Sequence, residues 1–213
     1  MTPPVAVYGS GGFAREAAWL AEVCGHEVVC FVDDDASRVG LRLNDIEVVA
    51  PDVAASRFAD AAVVVAIGNP SAREKVVART MANGMRPAPL IHPRVERSRW
   101  MTLGDGVVIC AGSILTTNIV VGDFVQVHVD CTVGHDVILD SFSTLLPGVH
   151  VAGCVRIGRR AYVGTGATII NGRPDAPLIV GDDAVVGAGA CVTRSVESGV
   201  TVVGVPAKPL TKR

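Results

Sequence analysis

From Leu103 onward the chain repeats in sixes. Leu103, Ile109, Leu115, Val121, Val127 and Val133 share one phase, and the same phase continues through Leu139, Leu145, Val151, Ile157 and Val163. Every one of these residues is aliphatic. Glycine follows directly at Gly104, Gly122, Gly134, Gly158 and Gly164. Four places after each aliphatic residue stands another small or branched one, as at Val107, Ser113, Ile119 and Ala167. Neither the roughly 3.6-residue period of a helix nor the alternation of a lone strand generates this pattern. A six-residue period predicts a parallel β-helix, each hexad supplying one short strand and a turn. Such coils close their interior only by stacking on one another. Hydrophobic residues make up 49% of the chain and aromatics only 4%, which suits a narrow interior of Val, Ile, Leu and Ala.

The residues before the repeat read differently. Val5 to Tyr8 is a short apolar run, followed by Gly9-Ser10-Gly11-Gly12 and an Ala-rich stretch over residues 13–23. Strand, Gly-rich turn and helix form the first half of a βαβ unit. Residues 27–32 predict a second strand, ending in Asp33, Asp34 and Asp35, and residues 61–67 a third. A helix is expected over 71–83, with Ser71 as its N-cap and Gly84 as its stop. Pro87, Pro89 and Pro93 then punctuate the chain. The expected organisation is an α/β half-Rossmann domain over residues 1–86 and a β-helix over 87–213 with a Pro-locked tail. Residues 97–102 break the hexad pattern. Residues 171–177 interrupt it again and read as a loop pushed out from a corner.

Composition removes several function classes. A formal charge of −2 and the lack of any basic block give no reason to expect nucleic acid or an anionic membrane as partner. The six cysteines show no CxxC pair, so reduced thiols in a cytoplasmic protein are expected. The N-terminus has no basic start or long apolar run that would make a signal peptide, and no stretch is long enough to span a bilayer.

Chemistry has few candidate seats. The turn Gly9-Ser10-Gly11-Gly12-Phe13-Ala14 fits GxGxxA, and its N–H groups with the helix start can hold phosphate; a tight turn without a ligand is the alternative. Asp33 to Asp35 stand where an acid can bond a ribose or base, or simply face solvent. His135, in Val133-Gly134-His135-Asp136-Val137, is the strongest candidate. Histidine suits general-base work near neutral pH, and an adjacent acid fixes its tautomer. The competing reading is a surface His before a turn-forming Asp. His92, His128 and His150 are possible zinc ligands, but their phases in the hexad differ and one chain would struggle to converge them.

Together these residues resemble the PglD/NeuD-type sugar acyltransferases of the hexapeptide-repeat, left-handed β-helix superfamily. The resemblance rests on the Gly-rich turn, the hexads carrying Gly134-His135-Asp136 and the closing Gly204-Val205-Pro206-Ala207-Lys208. It implies a left-handed prism, a cytoplasmic homotrimer with active sites between subunits, and acetyl-CoA as cosubstrate without a metal. It implies His135 as base and Asp136 as its orienter. Gly153, Thr144, Gly164 and Lys208 would contact CoA, Gly153 presenting its N–H to the thioester carbonyl. Gly9, Ser10, Gly11, Gly12, Phe13, Asp33 and Asp34 would hold a nucleotide sugar. The family usually has His where Phe13 stands, Asn at His128 and His at Thr144. The implied reaction is N-acetylation of a nucleotide-linked 4-amino-4,6-dideoxy sugar, GDP-perosamine or a UDP-4-amino sugar, in lipopolysaccharide O-antigen or other glycan biosynthesis. The alternatives are a sialic-acid-type O-acetyltransferase, a metal-dependent hydratase and a non-catalytic sugar-nucleotide-binding protein.

Overall fold

The computed structural model describes residues 2–210. The chain divides into two compact units, residues 1–93 and 94–213.

The first unit is a five-stranded sheet. Its strands are β1 (Val5–Tyr8), β2 (Val28–Val32), β3 (Arg42–Leu43), β4 (Ile46–Val49) and β5 (Ala62–Val65), in spatial order β3-β4-β2-β1-β5. β1 pairs in parallel with both β2 and β5, and all four of its residues are buried. That explains its unbroken apolar run, since a strand covered on both faces has no polar side to show. Helix α1 (Gly12–Val23) packs on β1 and β2, burying Ala14, Ala17, Ala18, Leu20 and Ala21. Its mostly small residues let the helix lie close to the sheet. A short helix, α2 (Pro51–Arg57), follows β4. Helix α3 (Pro70–Ala82) packs on β5. Its N-cap is Asn69, whose side-chain oxygen accepts the Ala72 N–H at 2.9 Å, rather than Ser71. Asn69 caps because Pro70 fills the first helical position, where a missing N–H costs nothing. Two elements had no expectation in the sequence. One is α2. The other is the β3–β4 hairpin, turned by Asn44 and Asp45, both at positive φ.

The second unit is a three-sided parallel β-helix. One face stacks Ile114, Thr132, His150 and Thr168 in register; a second stacks Thr102, Val120, Ile138 and Arg156; a third stacks Val108, Gln126, Thr144 and Tyr162. On every face each residue lies three hexads beyond its partner, so three hexads make one coil. The in-phase aliphatics point inward: Leu115, Leu139, Leu145, Ile157 and Ile169 are fully buried. Each such side chain contributes about 1.5–3 kcal/mol by leaving water. The ladder absorbs one insertion. Ile157 pairs with Val180 rather than with Asp175, where the hexad count alone would put its partner, and the extra chain is the loop over 171–177. The hexad break at 97–102 does not stop the coil. Glu96–Arg97 and Met101–Leu103 still pair with the strands above, and exposed Arg97 occupies the phase that is aliphatic elsewhere.

Leu139→Ala should leave a cavity that neighbouring coils cannot fill. We expect it to lower stability by about 2–5 kcal/mol, read from the urea midpoint. An unchanged midpoint would contradict the inward placement of the hexad phase.

Candidate active site

The three-hexad pitch stacks corner residues as well as strands. Asp136 donates its N–H to the Thr117 carbonyl at 3.1 Å, and Cys154 donates to the His135 carbonyl at 2.9 Å. Thr117, His135 and Gly153 therefore form one column at a corner, and Asn118, Asp136 and Cys154 the next. All three residues of the second column are in the left-handed region, with φ of 54°, 57° and 57°. For Asn and Asp this backbone comes at little cost.

The two columns assemble a hydrogen-bonded chain. His135 Nδ1 lies 2.8 Å from Asp136 Oδ2, and Asn118 Nδ2 donates to Asp136 Oδ1 at 3.1 Å. The bond from His135 first, and that from Asn118 second, hold the exposed Asp136 carboxyl below the ordinary range. A carboxylate beside Nδ1 keeps the ring proton there. Nε2 is then left as the acceptor. The ring lies directly on Gly153: a Cβ built on that glycine would stand 2.5 Å from both Cε1 and Nε2. Any other residue would displace the imidazole. Among the described residues, the Gly153 N–H has no acceptor. The loop over 171–177 leaves the wall at this same corner, where Gly172 donates its N–H to the Gly153 carbonyl at 3.0 Å.

The Gly-rich turn closes the C-terminal end of β1. Gly9 takes φ +113°, and a Cβ there would meet the Ala66 carbonyl oxygen at 3.0 Å. The N-terminus of α1 has no side-chain cap and no acid in its first turn. Gly11 and Gly12 are exposed, and a Cβ on either would meet nothing. An uncapped, uncovered helix start of this kind favours an anion. The other expected residues are less open. Ser10 is buried and its hydroxyl donates to Asp33. Asp34 accepts from the Tyr8 hydroxyl at 3.0 Å and pairs with Arg79 at 2.6 Å. Burial first, and Asp34 second, push the Tyr8 hydroxyl up to about 12. Arg38 donates to the Ser10 carbonyl at 3.1 Å. Phe13 is half-buried. Neither Arg38 nor Arg79 was legible in the sequence, because each meets a partner far away along the chain.

Residues 4–80 match the family model of the PglD N-terminal domain. Over 211 residues the chain is 31% identical to GDP-perosamine N-acetyltransferase of Escherichia coli O157:H7, covering 96% of this chain and 95% of that one. The chain belongs to the PglD-type sugar acyltransferases of the hexapeptide-repeat superfamily. Solved relatives agree along the whole length. A histidine-to-asparagine mutant of perosamine N-acetyltransferase from Caulobacter crescentus, in complex with CoA and GDP-perosamine, superposes with a TM-score of 0.91 at 30% identity, covering 100% of this chain and 99% of that one. WeeI from Acinetobacter baumannii AYE gives 0.92 at 36% identity, covering 97% and 99%. The prism of this acyltransferase is accordingly left-handed.

Within this acyltransferase, three expected CoA contacts stand in unlike places. Thr144 is fully buried, between Gln126 and Tyr162 in the third ladder. Its side chain is not on a ligand surface of the chain. Gly164 is also buried, and its N–H is committed to the Val186 carbonyl at 2.7 Å; it is glycine because a Cβ would meet the Ala188 nitrogen at 2.6 Å. Lys208 is exposed, paired with Val203, and borders a cavity of about 470 Å³ with Arg194, Ser195 and Glu197. Asn118 was not anticipated, although counting back three hexads from Asp136 finds it.

Asn118→Ala removes one of the two bonds that hold Asp136 ionised. The Asp136 carboxyl pKa should rise toward the ordinary value, as followed by carbon-detected NMR titration. An unmoved pKa would show that Asn118 does not bear on the carboxylate.

Proposed function

We propose that the chain transfers the acetyl group of acetyl-CoA to the 4-amino group of a nucleotide-linked 4-amino-4,6-dideoxy sugar, GDP-perosamine first among them. The observation that carries this reading is the His135 ring, held by Asp136 and seated on Gly153. The relatives support it in kind, since their names join an amino sugar nucleotide with CoA.

The neutral amine attacks the thioester carbon, and nitrogen gains a bond as the carbonyl π pair moves to oxygen. His135 Nε2 accepts the proton that the nitrogen loses, while Asp136 stabilises the resulting imidazolium. The Gly153 N–H donates to the oxyanion. The tetrahedral centre then collapses, the C–S bond breaks, and the CoA sulfur leaves as thiolate and takes the proton from the His135 imidazolium, which regenerates the base. The uncapped start of α1 supports a role for Gly9, Gly11 and Gly12 in holding the diphosphate. Arg79 or Arg38 would add charge there. Lys208 borders a cavity suited to the distal part of CoA.

We further propose a homotrimer working in the cytoplasm, where nucleotide sugars and acetyl-CoA meet, with active sites between neighbouring prisms. No described helix is long and apolar enough to cross a membrane. Along one column the second prism face presents Val120 and Ile138 in adjacent coils, at 46% and 37% exposure, and Ile179 at 42% beyond the exposed Arg156. Such a column favours a second copy of the chain over water.

His135→Ala or His135→Asn should leave a folded protein whose acetylation, measured as thiol release with GDP-perosamine, falls about 10²–10⁴-fold. Turnover near that of the wild type would remove His135 as the base. Ile138→Asp should shift the sedimenting species from three times the chain mass of 22.0 kDa toward the monomer. If the substituted chain keeps the wild-type mass, this face is not the subunit interface.

A further inference from the structure

The corner that carries His135 holds a third group that acyl transfer does not use. One coil beyond Asp136, in the same column, is the buried Cys154. A His135 nitrogen, an Asp136 carboxylate oxygen and the Cys154 sulfur all lie within 4.8 Å of one another. Among the described residues, no other group of three His, Cys, Asp or Glu comes this close.

We propose that His135, Asp136 and Cys154 form an inhibitory binding site for a thiophilic divalent cation, Zn²⁺ above all. The donor set is one imidazole, one carboxylate and one thiolate, each a ligand type that zinc accepts. With the thiol deprotonated, two negative ligands cancel the two charges of the ion, so the filled site is neutral. Ligand atoms around a tetrahedral zinc stand about 3.3–3.8 Å apart, as its 2.0–2.3 Å bonds dictate. A separation of 4.8 Å, the widest in the group, must therefore close by about 1 Å or more, and on Nδ1 the 2.8 Å His135–Asp136 contact must open by about 0.5 Å. The side chains that must move are the exposed ones. His135 is 61% exposed and Asp136 is 49% exposed, whereas Cys154 is fixed in the wall. Three protein ligands leave a fourth position for water on the open side of the corner.

Occupation blocks the base by either nitrogen. Zinc on Nε2 takes the lone pair that would accept the proton from the amine. Zinc on Nδ1 breaks the bond to Asp136 and leaves the ring proton on Nε2, so no acceptor faces the sugar. The thiolate also sets the selectivity. Zn²⁺, Cd²⁺ and Co²⁺ accept sulfur, while Mg²⁺ and Ca²⁺ prefer oxygen and should be ineffective. Reversal needs only a chelator, because no covalent bond is made.

The metal site stands apart from the proposed reaction, and only its inhibitory effect rests on that reading. Two readouts keep them separable. Co²⁺ added to the full-length protein should give a sulfur-to-metal charge-transfer band, which disappears in Cys154→Ala and in the more conservative Cys154→Ser, and remains in Cys110→Ala. Zn²⁺ should displace the cobalt, and its affinity should fall in Cys154→Ala by more than the roughly 10–100-fold that loss of an outer-shell partner costs. In the thiol-release assay, Zn²⁺ should inhibit the wild type reversibly, and each variant is compared with its own metal-free rate. The concentration for half inhibition should rise by the same factor in Cys154→Ala. A band that survives in both Cys154 variants overturns the proposal, as does equal inhibition by Mg²⁺. A cobalt band without any acetyl transfer in metal-free protein would refute the acyltransferase reading and leave the metal site standing.

Discussion

Each coil of the prism closes after three hexads because three inward aliphatics, one per hexad, fill a triangular cross-section. The parallel ladder then locks every residue over its counterpart one coil earlier. Any slip of one residue would turn Leu139 or Leu145 outward and expose an interior made almost wholly of such side chains. The same constraint fixes the corners. Asn118, Asp136 and Cys154 share one turn conformation, and His135 lies over Gly153 because the ladder allows no other neighbour. The site is thus a consequence of the core, although none of its polar atoms belongs to the core.

The prism was legible because its period is a packing requirement written into every hexad. His135, Asp136 and Gly153 could be placed by counting, since acceptor and donor follow the period of the coil. The loop over 171–177 was visible as an interruption, and its exit at the His135 corner follows from the shifted register between Ile157 and Val180. What escaped were contacts without a period. Arg79 reaches Tyr8 and Asp34 from another helix, and Arg38 folds back to Ser10. The β3–β4 hairpin announced itself only by Asn44 and Asp45, a pair suited to two consecutive positive φ values. Thr144 entered through the family resemblance alone, and its full burial in the third ladder is not encoded in the hexad.

Both units carry half-exposed acids that are tied to partners. At the prism corner a carboxylate and an imidazole stand largely in solvent, so their bond positions groups more than it stabilises the fold. In the first unit the acids after β2 are already satisfied: Asp33 by Ser10 and by the Asp35 N–H, Asp34 by Tyr8 and Arg79. A sugar nucleotide that used Asp34 would have to compete with a guanidinium. The exposed N–H groups at Gly11 and Gly12 present no such competition. On the proposed reading, affinity for the nucleotide would arise at the backbone, and discrimination among sugars at the side chains around it, Phe13 included.

The central claim is that a side-chain-free Gly153 seats the His135 ring for proton transfer. Steady-state kinetics of Gly153→Ala, with thermal unfolding as the control for folding, tests it most directly. The added methyl should leave the unfolding temperature close to that of the wild type. It should lower kcat about 10²-fold or more, roughly the scale of a 1 Å misplacement, with little change in KM for the sugar nucleotide. A folded Gly153→Ala enzyme with wild-type kcat would contradict the account.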